Sequence, residues 1–121
     1  PTKNTTMLIL LDSNSNVLLE KRPSVGIWGG LWSLPESNEE DQLVMETEQR
    51  FQCQLSSANR LTSFRHTFSH YHLMIQPIVF AMGMTGAVAE STKYQWYSKE
   101  VALTLGLPAP VRQILEEVLS H

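Results

Sequence analysis

Cysteine is almost absent from this chain, because Cys53 is the only one among its 121 residues. An intrachain disulfide is therefore impossible, and a reducing cytoplasm is the expected setting. Cys53 lies close in sequence to Phe51 and Leu55. This apolar context predicts a small, partly buried residue rather than a nucleophile.

Long apolar runs are also lacking. None reaches the roughly eighteen residues that a membrane-spanning helix requires, so no membrane partner is expected. The first residues, Pro1–Thr6, are polar. They do not have the apolar core of a secretory signal peptide.

The chain also lacks an excess of positive charge. Nine Lys and Arg residues stand against twelve Asp and Glu residues, which gives a net charge of −3. Most affinity for DNA comes from neutralising phosphates, so such a domain is not expected to hold duplex DNA tightly alone. It can still read a base if another domain supplies the phosphate contacts.

The residues that are present predict one folded domain. Hydrophobic residues make up 42% of the chain and charged residues 17%, a composition typical of a globular core. Apolar runs separated by turn residues predict a mixed α/β structure whose first two strands form a hairpin. The predicted strands are Met7–Leu11, Val17–Lys21, Trp32–Leu34, Leu61–Thr67, Tyr71–Phe80 and Tyr94–Tyr97.

Two main helices are predicted. Ser37 and Glu40 fit a capping box, so the first helix is expected to begin near Glu39 and to run to about Cys53. A short helical turn is expected after Ser98. The second main helix follows a Pro108-x-Pro110 pair, because proline is favoured in the first turn of a helix.

One polar and aromatic segment is the strongest candidate for a binding site. The segment Thr62–Tyr71 reads T-S-F-R-H-T-F-S-H-Y and precedes an apolar run. It is typical of a strand, a tight turn and a second strand. Ser and His at the turn offer hydrogen-bonding groups, and Phe offers a stacking face, a combination suited to reading a base. The alternative is an ordinary hairpin that carries a few polar residues.

A second motif precedes that segment. Residues 17–35 read V-L-L-E-K-R-P-S-V-G-I-W-G-G-L-W-S-L-P, which resembles the first half of the Nudix (MutT-like) fold. The closer resemblance is to the C-terminal domain of bacterial MutY-type adenine-DNA glycosylases, in which W-G-G-L-W/Y-x-x-P and a later H-x-F-S-H are characteristic. These motifs stand here as residues 28–35 and 66–70, and the resemblance covers nearly the whole chain.

The resemblance implies an α+β fold, a Nudix-like α/β/α sandwich with a mixed sheet. Residues 1–6 would be the end of an interdomain linker, and residues 7–121 a single lesion-recognition domain. The whole enzyme would remove adenine mispaired with 8-oxoguanine. Its N-terminal catalytic domain, which is absent here, would carry an iron–sulfur cluster and would be this domain's partner in the same chain.

The resemblance also implies the site residues. Phe68, Ser69 and His70 would form the lesion-reading loop, and Arg65 and His66 are further candidates. Ser69 Oγ would bond the Hoogsteen edge of 8-oxoguanine, where oxidation turns the N7 acceptor into an N–H donor. Phe68 would position the loop, and His70 would contact backbone or base. The expected partner is duplex DNA that contains an 8-oxoguanine:adenine mispair.

The catalytic motif of Nudix hydrolases is degraded in this chain. An active member resembles G-x5-E-x7-R-E-U-x-E-E-x-G-U, where U is a bulky aliphatic residue. Here Glu36 and Ser37 stand where two glycines are expected, and Gln49 and Arg50 stand where paired glutamates are expected. No catalytic residue is therefore assigned, and the isolated chain is not expected to be an enzyme.

A metal site is not predicted either. Glu46 and Glu48 are two residues apart, so they face different sides of a helix. The histidines lack the cysteines or the third well-placed histidine that zinc sites favour, and no cofactor is expected in this domain. Two other functions stay open, a divergent nucleotide pyrophosphohydrolase and a protein-interaction domain in which Trp28 or Trp32 docks a partner. The two tryptophans are otherwise core residues that anchor the Gly29-Gly30 turn.

Overall fold

The computed structural model describes residues 1–83, 88 and 90–120 of the chain. Within these residues it contains one mixed sheet of eight strands and three helices. The strands are β1 (Thr2–Leu11), β2 (Val17–Lys21), β3 (Trp32–Ser33), β4 (Glu36–Ser37), β5 (Leu55–Arg60), β6 (Phe64–Thr67), β7 (His72–Met82) and β8 (Tyr94–Tyr97). The helices are α1 (Leu43–Phe51), α2 (Lys99–Ala102) and α3 (Ala109–Val118).

The sheet is covered on both faces, which makes the predicted α/β/α sandwich correct. Alternate residues of β1 enter two different apolar clusters, because successive side chains of a strand point to opposite faces. Met7 and Ile9 pack with Ile114 of α3, whereas Leu8 and Leu10 pack with Phe51 of α1. A strand buried on both faces reads as a continuous apolar run, and this explains the run of residues 7–11.

The sheet divides into two parts between β1 and β2. The antiparallel pairing of these strands is at Leu11 and Val17. β1 continues in parallel beside β7 along its whole length, from Thr2 opposite His72 to Leu11 opposite Ala81. β2 instead pairs with β3 and β8. Nearer its start, β1 pairs antiparallel with β4 at Thr6 and Met7.

Several strand predictions are confirmed and two strands, β4 and β5, were missed. β2 and β8 have the predicted bounds, and β3 and β6 lie within the predicted ranges. β5 was not predicted, because most of its residues are exposed and polar. β1 begins at Thr2 rather than Met7, so residues predicted to end a linker pair with β7.

The capping box predicted for the first helix is wrong. Ser37 belongs to β4 and pairs with Thr6 of β1, so the chain is still extended there. Its Oγ accepts a hydrogen bond from the Glu39 backbone N–H at 3.0 Å. The helix α1 begins only at Leu43, after Gln42 in the left-handed region at φ 56°.

The predicted C-terminal elements are confirmed. Ser98 caps α2 by accepting a hydrogen bond from the Val101 backbone N–H. α3 begins after Pro108 with a proline in its first turn. Among the described residues no helix is long and apolar enough to cross a membrane. The loop predicted between the last two strands, with Gly86, falls partly outside the described residues.

Candidate nucleic-acid interface

The predicted strand–turn–strand lies at one end of the sheet. β6 and β7 pair antiparallel from Phe64 opposite Ile75 to Thr67 opposite His72. The backbone N–H of Phe68 donates to the carbonyl oxygen of Tyr71 at 2.8 Å and closes a four-residue turn, which we call the 68–71 turn. Ser69 and His70 are exposed at its tip, so both side chains are available to a ligand.

Rings pack around the base of this turn. The Phe68 ring lies 4.8 Å from the His66 ring and 4.8 Å from the Tyr71 ring, measured between centroids. Phe68 is half-buried and packs against the apolar cluster that lies under α3. The side chain that precedes Ser69 is therefore fixed on the body of the domain, whereas Ser69 itself is free to contact a partner.

The two motifs that were noticed separately in the sequence meet at this point. The Trp28 ring lies 5.6 Å from the Phe68 ring and 6.1 Å from the His66 ring. Trp28 comes from the turn between β2 and β3. The W-G-G-L-W and H-x-F-S-H segments thus build one cluster, the aromatic cluster of Trp28, His66, Phe68 and Tyr71.

The backbone around Trp28 explains the two glycines that follow it. Trp28 has φ 55° and Gly30 has φ 76°, both in the left-handed region. A Cβ on Gly29 would lie 2.7 Å from the Ser24 carbonyl oxygen, so only glycine fits this close approach. The left-handed conformation of a bulky residue such as Trp28 costs about 1–3 kcal/mol, and such strain is frequent at functional sites.

The further candidates, Arg65 and His66, lie on opposite faces of β6. His66 joins the aromatic cluster, whereas the adjacent Arg65 is exposed and points to the other face of β6. Thr67 Oγ1 shares a hydrogen bond of 2.9 Å with His72 Nδ1. The turn therefore presents Ser69 and His70 at its tip and a cation, Arg65, behind it.

Lys3 is a neighbour of the turn that the sequence did not single out. Its ammonium nitrogen lies 4.6 Å from the centroid of the Tyr71 ring, within the range of a cation–π contact. The backbone N–H of His72 also donates to the Pro1 carbonyl oxygen at 3.0 Å. The start of β1 therefore brings a positive charge to the aromatic cluster.

A cavity of about 340 Å³ adjoins the cluster. It shares Trp28 and Tyr71 with the cluster, and charged side chains of both signs form the remaining polar wall. Those charged residues are Glu20, Arg22, Glu36, Arg50 and Lys93. A larger cavity, about 530 Å³, lies between the start of β1 and the segment before α1, but none of the predicted site residues lines it.

Arg50 is the central charge of the smaller cavity. Its Nη1 donates to the Glu36 carbonyl oxygen at 2.7 Å, and its Nη2 lies 3.5 Å from Glu20 Oε1. Arg22 Nη1 lies 3.7 Å from Glu36 Oε2. A guanidinium on α1 therefore faces the Glu20 carboxylate at the place where the sequence lacks the paired glutamates of active Nudix proteins.

This arrangement does not fit the divalent metal of active Nudix hydrolases. Such a cation needs several convergent oxygens, but Glu48 Oε2 accepts a hydrogen bond from the Leu55 backbone N–H at 2.9 Å, and Arg50 already balances the buried Glu20. Among residues 1–83, 88 and 90–120, no three His, Cys, Asp or Glu side chains form a metal-binding group.

Cys53 takes no part in the site. It is buried in the cluster that packs under α1. Burial, and then the negative charge of Glu48, raise the pKa of its thiol above the ordinary value. The thiolate needed for nucleophilic attack is therefore disfavoured at neutral pH.

Comparison with known protein families matches a model of the Nudix domain to residues 6–117. The match begins within β1, extends through nearly all of α3 and includes every residue that lines the smaller cavity. This match of the sequence confirms the predicted Nudix-like fold in addition to the structure.

Curated relatives include adenine DNA glycosylases of two Buchnera aphidicola subspecies. The protein of the subspecies from Acyrthosiphon pisum is 31% identical over 110 residues, which cover 89% of this chain and 31% of the relative. That of the subspecies from Baizongia pistaciae is 27% identical over 110 residues, which cover 91% of this chain and 31% of the relative. The chain thus spans about a third of the length of these relatives.

Among solved structures, the C-terminal domain of mouse MUTYH, in complex with human PCNA, has the same fold. It superposes with a TM-score of 0.76 and 17% sequence identity, over 98% of this chain and 88% of that chain. At this level of identity the match shows the fold alone.

Proposed function

The chain belongs to the Nudix domain family, and on that premise we propose that it is the lesion-reading C-terminal domain of an adenine DNA glycosylase. The glycosylase relatives support the family of the whole protein. The observation that carries the role is the contact of Trp28 with Phe68 at 5.6 Å. It joins the two motifs characteristic of MutY-type proteins and leaves Ser69 and His70 exposed beside them.

The 68–71 turn would read the oxidised base. Ser69 Oγ accepts a hydrogen bond from the N7–H that distinguishes 8-oxoguanine from guanine. His70 contacts the same base or its backbone. Phe68 positions Ser69 and His70, because its ring packs in the aromatic cluster. Arg65 and Lys3 would supply phosphate contacts to the lesion strand, because cations near a base-reading loop position the duplex without reading its sequence.

The chemistry of adenine removal would belong to another domain of the full-length protein. Flipping and excising adenine requires a pocket for the extruded base, and we assign that pocket to an N-terminal catalytic domain. An iron–sulfur cluster held by thiolates commonly needs four cysteines, and this chain has one. The cluster does not fit here and would lie in the N-terminal domain.

The turn can be tested in the full-length glycosylase. Ser69→Ala should weaken recognition of adenine opposite 8-oxoguanine by about 1 kcal/mol, a several-fold loss, because one hydrogen bond is removed. Replacing Phe68, Ser69 and His70 together by Ala should cost more, because the ring contacts are lost too. Both losses should be much smaller for adenine opposite guanine. Single-turnover cleavage and duplex binding on the two mispairs measure this difference.

The matched control is Ser13→Ala, which removes an exposed hydroxyl from the turn between β1 and β2. It should leave both mispairs unaffected. Circular dichroism of each variant verifies that it is folded. Equal losses on the two mispairs for the triple variant, or no loss on either, would show that the turn is an ordinary hairpin.

A further inference from the structure

We propose that Trp28 is a positioning residue that determines specificity for 8-oxoguanine: its indole fixes Phe68 and His66 and thereby sets where Ser69 and His70 meet the base. The inference rests on the proposed function of the 68–71 turn. It deepens that function by naming the residue, remote in sequence, on which selectivity depends.

The ring contacts show why the hairpin needs Trp28. Phe68 also touches His66 and Tyr71, but these two rings belong to the same hairpin as Phe68. Trp28 lies in a separate connection of the chain, between β2 and β3, and contacts both Phe68 and His66. Through these rings it ties the turn to the body of the domain.

The backbone of Trp28 gives a second, independent observation. Its φ of 55° is rare for so large a side chain, so the surrounding turn must maintain it. The Gly30 backbone N–H donates to the Pro23 carbonyl oxygen at 2.9 Å, and the Leu31 N–H donates to the Trp28 carbonyl oxygen at 3.1 Å. Gly29, which admits no Cβ, completes the turn. These restraints hold the indole against the hairpin.

Trp32 offers a matched comparison within the same motif. It is half-buried and packs against the same apolar cluster as Trp28. Its ring contact is with Tyr97, edge-on at 5.2 Å, rather than with the hairpin. A general loss of packing should therefore follow from changing either tryptophan, whereas a specific effect on lesion reading should follow only from changing Trp28.

The test uses the full-length enzyme with Trp28→Leu, Trp28→Phe and Trp32→Leu. Single-turnover rates on adenine opposite 8-oxoguanine and opposite guanine give a selectivity ratio for each protein. Trp28→Leu should lower that ratio about tenfold, because a displaced hydrogen-bonding group loses its alignment. Trp28→Phe retains a smaller ring, which reaches the hairpin less closely, so its ratio should fall less, by about twofold to threefold. Trp32→Leu should leave the ratio unchanged.

A combined variant with four substitutions separates this inference from the proposed function. When Phe68, Ser69 and His70 are already Ala, Trp28→Leu should change the ratio no further, because its effect passes through the turn. If the triple variant alters the ratio but neither Trp28 variant does, Trp28 is only a packing residue and the proposal is overturned, while the function of the turn stands. If Trp28→Leu does not fold, Trp28→Phe decides: a lowered ratio that disappears in the triple-Ala background supports the proposal, and an unchanged ratio overturns it. If the triple variant leaves the ratio unchanged, the proposed function itself fails.

Discussion

Gly29 shows how a single residue can determine the geometry of the proposed site. A side chain is excluded at this position because the Ser24 carbonyl oxygen occupies the space that a Cβ would need. Its neighbours, Trp28 and Gly30, both take left-handed backbone conformations. The backbone conformation of residues 28–30 thus directs the Trp28 indole toward the hairpin.

Gly29→Ala should destabilise the domain by about 1–3 kcal/mol, because the added methyl group is forced against backbone rather than against a flexible side chain. Gly83→Ala is the control, since its Cβ would lie at an ordinary 3.5 Å from the Gln54 carbonyl oxygen. The control should change the free energy of unfolding by no more than about 0.5 kcal/mol. Urea unfolding of the two variants and the original chain measures both values, and similar stabilities for the two variants would contradict the packing argument.

The helix α1 lacks the paired glutamates expected of an active Nudix hydrolase. Arg50 extends from its last turn toward Glu20 and Glu36, where the resemblance predicts metal-binding glutamates. A fixed guanidinium can balance the Glu20 carboxylate, but it supplies neither a Lewis acid nor an activated water for attack on a pyrophosphate.

We therefore expect the isolated chain to release no pyrophosphate from 8-oxo-dGTP, with either magnesium or manganese, above the rate of a reaction without protein. A known Nudix hydrolase in the same assay verifies the conditions. Metal-dependent turnover that Glu46→Gln abolishes would show that α1 is catalytic and would favour a divergent hydrolase instead.

At the scale of the whole molecule, net charge opposes tight binding to DNA. The chain carries −3, and the cations near the 68–71 turn, Lys3 and Arg65, are few. Phosphate neutralisation provides most of the affinity of DNA-binding proteins. The proposed reading of a base therefore requires that another part of the same protein hold the duplex.

The isolated domain should accordingly bind a duplex with an 8-oxoguanine:adenine mispair with a Kd of roughly 0.1 mM or weaker at physiological salt, in the range of non-specific binding. Affinity should fall further as salt rises. Fluorescence anisotropy over a salt series measures this, with the full-length enzyme as the tight-binding comparison. Nanomolar affinity of the domain alone would mean that the main phosphate contacts lie within it.

Local sequence was sufficient for much of the fold and for the candidate turn. The continuous apolar run of residues 7–11, the turn residues that follow it, and the two prolines at the start of α3 each express a preference that acts over a few residues. The same holds for the H-x-F-S-H segment, whose strand–turn–strand form is closed by its own backbone hydrogen bond between Phe68 and Tyr71. These elements were predictable because their causes are adjacent in the chain.

Long-range pairing decided the rest. Residues 2–6 are polar, and they form a strand because they pair with β7. Ser37 pairs with Thr6 as part of β4 and does not cap a helix. The contacts of Trp28 with Phe68, and of Arg50 with Glu20, join segments whose spacing in sequence carries no signal of contact. Strand pairing and ring packing depend on which surfaces the sheet brings together, so local propensity could identify the motifs but not the cluster that they form.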